Sequence, residues 1–324
     1  MADLASFQIR HKIVFEEGCT IPIGLIPKQL IDGRVMADSL RCTLKYGKRE
    51  NRGAYGSITK VERTPSLNRE LCVKSPHSAV FCLFPEAILQ WHASRTLQAA
   101  GIHGAIPHIY DIFQYAGESR FTMDFIRGCS AVEALSAASN PDAMWILILA
   151  QVALVMGYLE EKIYLDHRDL KADNLWIRHT PVEYALTVGG VAWRIRAAFQ
   201  VVILDFGFAC IGNGRGNAVV SLSDGILPKI DPCPKEGRDL FQLITSMWSI
   251  PSIRARASTD VKEAMESLLT FKNTSYVHIM NQTIQTHWIY LAVSDNRFKH
   301  PPLHPVTLLL KLSTDWTDVG LYRE

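Results

Sequence analysis

From residue 40 to 73, short apolar stretches are broken by charged residues and glycines, a pattern that predicts antiparallel strands. Residues 1–40 mix short apolar runs with Gly and Pro and predict no clear element. Pro85 in a first-turn position opens an expected helix to about residue 99, with Glu86, Ile88, Leu89, Trp91 and Leu97 at helical spacing. Short strands are expected over 106–114 and 121–125. Pro141 and Asp142 introduce an apolar run, 143–158, interrupted by Gln151. It falls short of the roughly 20 residues a spanning helix needs and reads as a buried core helix over 143–161. A loop, 166–174, comes next. The stretch 182–191 with its Gly189-Gly190 turn, and the apolar run 192–204 ending at Asp205, read together as a hairpin. A further helix is expected over 239–248, and the tail reads as mostly helical. Strands with one helix first and helices afterwards predict an α+β protein in two parts.

Composition narrows the function classes. The 324 residues are 48% hydrophobic and 20% charged, as in globular proteins generally, and the net charge is +2. No overall field favours nucleic acid or an anionic membrane surface, so neither is an expected partner. The seven cysteines stand at 19, 42, 72, 82, 129, 210 and 233, with no CxxC pair and no histidine at finger spacing. They read as buried or free thiols in a reducing compartment. The first residues lack a basic stretch followed by an apolar one, so no signal peptide is expected and the location reads as intracellular.

The strongest local signal is His167-Arg168-Asp169-Leu170-Lys171-Ala172-Asp173-Asn174, followed downstream by Asp205-Phe206-Gly207. Phosphoryl transfer needs an acceptor for the substrate hydroxyl proton, oxygen ligands for Mg²⁺ and positive charge on the phosphates. A loop with Asp169 and, five residues on, Asn174 can aim a base at the hydroxyl and a carboxamide oxygen at a metal. Asp205 adds an anionic metal ligand.

At these residues the chain resembles the eukaryotic-type protein kinase family over roughly residues 45–250. The resemblance implies a bilobal α+β kinase fold: an extension over 1–40, a β-rich N-lobe with one main helix over 41–125, and a mostly helical C-lobe over 126–324. Asn51-Arg52-Gly53-Ala54-Tyr55-Gly56-Ser57-Ile58 is similar to the glycine-rich loop, with Asn51 in place of the first glycine. It implies nucleotide contacts from Gly53, Gly56 and Ile58. Leu71-Cys72-Val73-Lys74 resembles the strand that carries the phosphate-binding lysine, so Lys74 would reach the α- and β-phosphates. Glu86 is the expected carboxylate partner of Lys74, with Glu70 as the alternative. Thr122-Met123-Asp124-Phe125-Ile126 resembles the inter-lobe hinge; Met123 would sit behind the adenine, and backbone groups of Asp124 and Ile126 would hydrogen-bond it. Asp239-Leu240-Phe241-Gln242 resembles the start of the central C-lobe helix, whose aspartate anchors the catalytic loop.

Lys171, two residues after Asp169, matches the serine/threonine type. The implied activity is transfer of the γ-phosphate of ATP, with Mg²⁺ on Asn174 and Asp205, to Ser or Thr of protein substrates. Arg168 suggests pairing with an anionic activation segment, with Ser221 and Ser223 as candidate phosphate carriers. His167, Asp166 and Asp173 read as structural. The Gly212-to-Asn217 stretch reads as a mobile loop or anion nest, and His300 to His304 as a surface turn. The family's Ala-Pro-Glu motif is missing between Asp205 and Asp239, as in haspin-like kinases. The long stretch before Asp205 resembles kinases of large DNA viruses, which implies a cytoplasmic or virion-associated location. A pseudokinase that binds nucleotide as a scaffold and a small-molecule kinase stay open as alternatives. Oligomeric state and natural substrate are not legible.

Overall fold

The computed structural model describes residues 28–29, 34–36, 41–52, 56–78, 82–212, 218–221, 234–271, 274–275 and 303–324. The expectations for Gly53, Ser223, the 213–217 stretch and His300 lie outside them. The fold is mixed α+β, with a β-rich region and seven α-helices among the described residues. The chain divides into two compact units, residues 1–95 with 107–126 and residues 96–106 with 127–324.

The first unit is built on seven strands: β1 (Lys28–Gln29), β2 (Arg34–Met36), β3 (Arg41–Arg52), β4 (Gly56–Thr64), β5 (Leu71–Pro76), β6 (Ile109–Tyr115) and β7 (Glu118–Asp124). Their order is β1-β2-β3-β4-β5-β7-β6, and β1 closes the barrel by pairing in parallel with β6. Closure gives every strand a neighbour on both sides and removes the exposed edges. Cys42, Leu44, Val61, Leu71, Val73 and Phe113 form one buried cluster. The first helix, α1 (Phe84–Ala99), carries Pro85 and Glu86 in its first turn. Ala87, Ile88, Leu89 and Trp91 are all buried, so its amphipathicity is weak and the helix is held by packing.

Past residue 127 the second unit continues with β8 (Cys129–Ser130) and α2 (Ala131–Ala137), which sequence periodicity did not reveal. Ser130 caps α2 in a reciprocal box with Glu133. Then comes α3 (Pro141–Ile163), capped by the Asn140 side chain on the Ala143 amide at 3.0 Å and stopped by Tyr164 in the left-handed region at φ 53°. It is apolar and long enough to span a membrane, but 78% of its most apolar window is buried inside the fold, as expected of a core helix.

Beyond α3 lie β9 (Leu165–Asp166), β10 (Leu175–Arg178), β11 (Val182–Val188), β12 (Val191–Ala197), β13 (Gln200–Ile203), β14 (Cys210–Gly212) and β15 (Ala218–Ser221). Tyr184, Leu186 and Val188 are buried in alternation with exposed neighbours along β11. Gly189 and Gly190, at φ 62° and 73°, turn the chain into β12 as the two positive-φ positions of the tight hairpin require.

The expected hairpin ends sooner than its apolar run. β12 stops at Ala197, and β13 leaves to pair with β10. Gln151 accounts for the break: its Nε2 donates to the Phe199 carbonyl at 3.2 Å and its Oε1 accepts from the Val201 amide at 2.9 Å. The one polar residue that interrupts the α3 run thus satisfies the turn between two strands.

The remaining elements are α4 (Arg238–Trp248), α5 (Pro251–Arg256), α6 (Thr259–Leu268), β16 (Thr270–Phe271), β17 (Thr274–Ser275), α7 (Pro305–Asp315) and β18 (Leu321–Arg323). The mostly helical tail therefore also returns a strand, since β18 pairs with β12 through Trp193 and Arg323. Trp145 of α3 meets Trp248 of α4 edge to face, ring centres 6.2 Å apart. Cys42, Cys72, Cys82 and Cys129 are free, while Cys210 is disulfide-bonded, against the expectation of thiols throughout. Spacing along a chain does not reveal which sulfurs meet in space.

Candidate functional site

Two short ladders frame the segments 167–174 and 204–209. Asp166 of β9 pairs with Cys210 of β14, and Leu175 of β10 pairs with Ile203 of β13. Each segment therefore leaves one ladder and enters the other, and the two are held side by side. The Leu204 amide donates to the Asn174 carbonyl at 2.9 Å, which sets Asn174 beside the start of Asp205-Phe206-Gly207. Arg168 and Asp205 both adopt positive φ, 64° and 62°. Non-glycine residues held there cost about 1–3 kcal/mol each and collect at functional sites.

Asp169 is the centre of this arrangement and only 6% exposed. Lys171 Nζ lies 2.9 Å from its Oδ2 and 3.2 Å from its Oδ1. Asn174 Nδ2 donates to the Asp169 carboxylate at 3.0 Å and to its backbone carbonyl at 2.8 Å. With both amide hydrogens directed to Asp169, the Asn174 carboxamide oxygen is the atom left for a cation. Burial pushes the Asp169 carboxyl above its ordinary range, against the pull of Lys171. That direction suits a proton acceptor.

His167 is fully buried. Its Nε2 donates to the Leu204 carbonyl at 3.0 Å, and its ring packs 4.9 Å from that of Phe206. Burial depresses its pKa, so it stays neutral and serves as a strut. Asp239, in the first turn of α4, reaches back to the loop: its two oxygens accept from the His167 amide at 2.7 Å and the Arg168 amide at 2.8 Å.

Asp166, which reads as structural in the sequence, does not sit in an exposed turn. It is instead 2% exposed and paired with fully buried Arg238, whose Nε lies 3.1 Å from Oδ2; the Lys235 amide donates to the same oxygen at 2.9 Å. Arg238 holds the Asp166 carboxyl below its ordinary range against the effect of burial, and Arg168 adds to that. Burial and the neighbouring Asp166 push Asp239 the other way. Sequence reasoning missed Arg238, because nothing local marks an arginine as the partner of an aspartate so distant along the chain. Asp173 is exposed in a single 3₁₀ turn, Ala172–Asn174.

The first unit carries the other expected residues. Lys74 Nζ forms an ion pair with Glu86 Oε1 of α1, with side chains 13% and 3% exposed. Glu70, the alternative partner, lies 4.0 Å from Lys60. Gly56 is buried where an added Cβ would stand 2.7 Å from the Ser75 carbonyl oxygen, so a side chain cannot fit at this crossing of β4 and β5. Ile58 faces Lys74 in the ladder register. Met123 Sδ lies 3.6 Å from Gln90 Nε2 of α1. The Asp124 amide donates to the His108 carbonyl at 3.1 Å, and its carboxylate accepts from Tyr110 Oη at 2.8 Å. The Asp124 amide is therefore occupied, and its carbonyl accepts from the Cys72 thiol at 3.7 Å. Phe125, between Asp124 and Ile126, is tied to the Glu70 carbonyl at 2.9 Å.

A separate cavity of about 380 Å³ lies at the end of α3, lined by Glu160, Glu161, Tyr164, Glu236 and His304 among others. Burial first, then Asp166, Glu236 and Glu161, push the Glu160 carboxyl from its ordinary 4.5 up to about 7. Folded protein thus binds this proton more tightly than unfolded chain. Stability is lost as pH rises from about 4.5 through 7. Glu160→Gln is therefore expected to stabilise the protein at pH 8, by roughly 1–2 kcal/mol after allowance for residual solvent contact, and hardly at all at pH 4.5. Urea unfolding at the two pH values checks this; equal effects at both would refute it.

Hard oxygen donors on Asn174 and Asp205 fit Mg²⁺, which is commonly held by one or two protein oxygens together with substrate phosphates. Compared with protein-family models and with characterised proteins, the sequence matches none of them.

Proposed function

We propose that this chain is an ATP- and Mg²⁺-dependent protein kinase of the serine/threonine type, with a two-lobed kinase-like fold. The observation that carries the reading is the Asp169 carboxylate with Lys171 Nζ at 2.9 Å and Asn174 Nδ2 at 3.0 Å, on a loop anchored by Asp239 through two backbone amides. Phosphoryl transfer asks mainly for positioning and electrostatics, and this set supplies both.

Asp169 would accept the proton of the attacking Ser or Thr hydroxyl. Lys171 would leave Asp169 for the γ-phosphoryl as charge builds on its oxygens. Asn174 and Asp205 would hold Mg²⁺, which when bound offsets the negative charge of the phosphates. Lys74, kept in place by Glu86, would contact the α- and β-phosphates, and Gly56 would let the backbone approach them. The Asp124 carbonyl and the Ile126 amide would read the adenine edge, with Met123 behind it. The buried ion pair of Lys74 and Glu86 supports this role, because a solvated strand lysine would have no need of a 3% exposed partner.

The test is transfer of labelled γ-phosphate from Mg²⁺-ATP to generic protein acceptors, with the modified residue located by mass spectrometry. The expected product is phosphoserine or phosphothreonine, and Lys74→Met is expected to lower the rate at least about 100-fold. Mg²⁺-ATP binding, seen as thermal stabilisation, without any transfer would leave a nucleotide-binding scaffold instead. Transfer to a small-molecule hydroxyl alone would point to a metabolite kinase.

A further inference from the structure

Two guanidiniums lie inside the second unit where neither meets solvent. Arg238 is 0% exposed and Arg168 is 2% exposed. An uncompensated buried cation is among the costliest arrangements a fold can contain, so each requires an anion close by. Asp166 is the anion beside Arg238: it is itself 2% exposed and receives Arg238 Nε at 3.1 Å. Its position is informative, since it directly precedes His167 and the loop that carries Asp169.

An arginine beside a catalytic aspartate can serve as a docking point for a phosphate on another segment. Then it must be reachable, and it must lack a counter-charge until the phosphate arrives. Arg168 does not meet the first condition, because it is 2% exposed. Asp239 fixes the Arg168 backbone as well, by accepting its amide at 2.8 Å. The Lys235 amide on Asp166 and the Arg238 side chain tie the same carboxylate to the start of α4.

We propose that Asp166, through its pairing with Arg238 and the Lys235 amide, ties the catalytic loop to α4 and keeps it ordered without a phosphate on the activation segment. Asp166 is thus a positioning residue, acting on Asp169 through the loop backbone. This inference rests on the kinase reading above.

The test uses the full chain. Purified protein is treated with a broad-specificity phosphatase until its intact mass shows no phosphate, then assayed immediately for γ-phosphate transfer beside untreated protein. The initial rates are expected to agree within about two-fold. In parallel, Asp166→Asn is expected to lower kcat at least ten-fold with little change in the KM for ATP, and Asp166→Glu to recover part of the loss. Folding of each variant is checked by its near-ultraviolet circular dichroism. A ten-fold or larger loss on dephosphorylation, regained on rephosphorylation, overturns the inference while leaving the kinase reading intact. Wild-type kcat in a folded Asp166→Asn variant overturns it too. Absence of transfer from treated and untreated protein alike removes the kinase reading and this inference with it.

Discussion

Asp205→Asn is expected to lower γ-phosphate transfer by about 10³-fold or more while leaving the protein folded. The side chain sits just past β13, on a residue held at φ 62°, with Oδ1 accepting from the Gly207 amide at 3.3 Å. Asparagine tolerates this backbone region as well as aspartate does, and its amide oxygen can still accept from Gly207. What disappears is the negative charge. A single well-placed charge or hydrogen-bond donor at a transition state is commonly worth 10²–10³ in rate, and on the proposed reading the change would also remove a ligand of the ion that offsets phosphate charge. The decisive measurement is kcat against Mg²⁺ concentration, alongside unchanged urea unfolding. A variant that turns over normally at low Mg²⁺ would remove Asp205 from the metal site.

Arg238→Met is expected to have the largest effect on stability. It leaves Asp166 ionised, 2% exposed and without its guanidinium. Removing one member of a buried pair costs about 3–5 kcal/mol, because the remaining charge stays desolvated. In a protein of this size that corresponds to a Tm lower by about 10 °C. The double variant Asp166→Leu with Arg238→Met is expected to recover part of the loss, since apolar replacements of a buried pair are often neutral or better, while buried Arg168 loses the nearby Asp166 charge. The cycle separates stability from activity: the double variant should be more stable than Arg238→Met yet impaired in kcat, because the loop has lost its tie to α4. Equal destabilisation in the single and double variants would show that packing around the site, rather than the charge pair, dominates.

Much of the candidate site can be read from the chain. The 167–174 segment and Asp205-Phe206-Gly207 are each an unbroken run in the chain, and the two ladders that flank them bring the runs side by side. The helices around residues 85–99, 143–161 and 239–248 were legible because each carries a capping or first-turn signal or a sustained apolar run. The Gly189-Gly190 turn was legible because few other dipeptides take positive φ twice. The short α2 was not, since seven residues give too few turns for a periodic signal. β1 and β2 escaped notice for the same reason, having two and three residues. β18 was hidden because its partner, β12, precedes it by more than 100 residues.

Sequence alone determined which residue types could do chemistry and where the longer helices and the β11–β12 turn would lie. Both depend on neighbours within a few positions, where spacing and side-chain geometry act directly. Only the tertiary structure decided how the buried charges are paired. Asp166 meets Arg238 across 72 residues, and the His167 amide meets Asp239 across the same separation. Such pairings depend on where α4 crosses beneath the loop, and that crossing is set by the packing of the whole unit. The same holds for Gln151, whose amide reads as an interruption of an apolar helix until the β12–β13 turn is folded against it. A polar group in an apolar run states only that a partner is required. Which partner satisfies it is settled when the core closes.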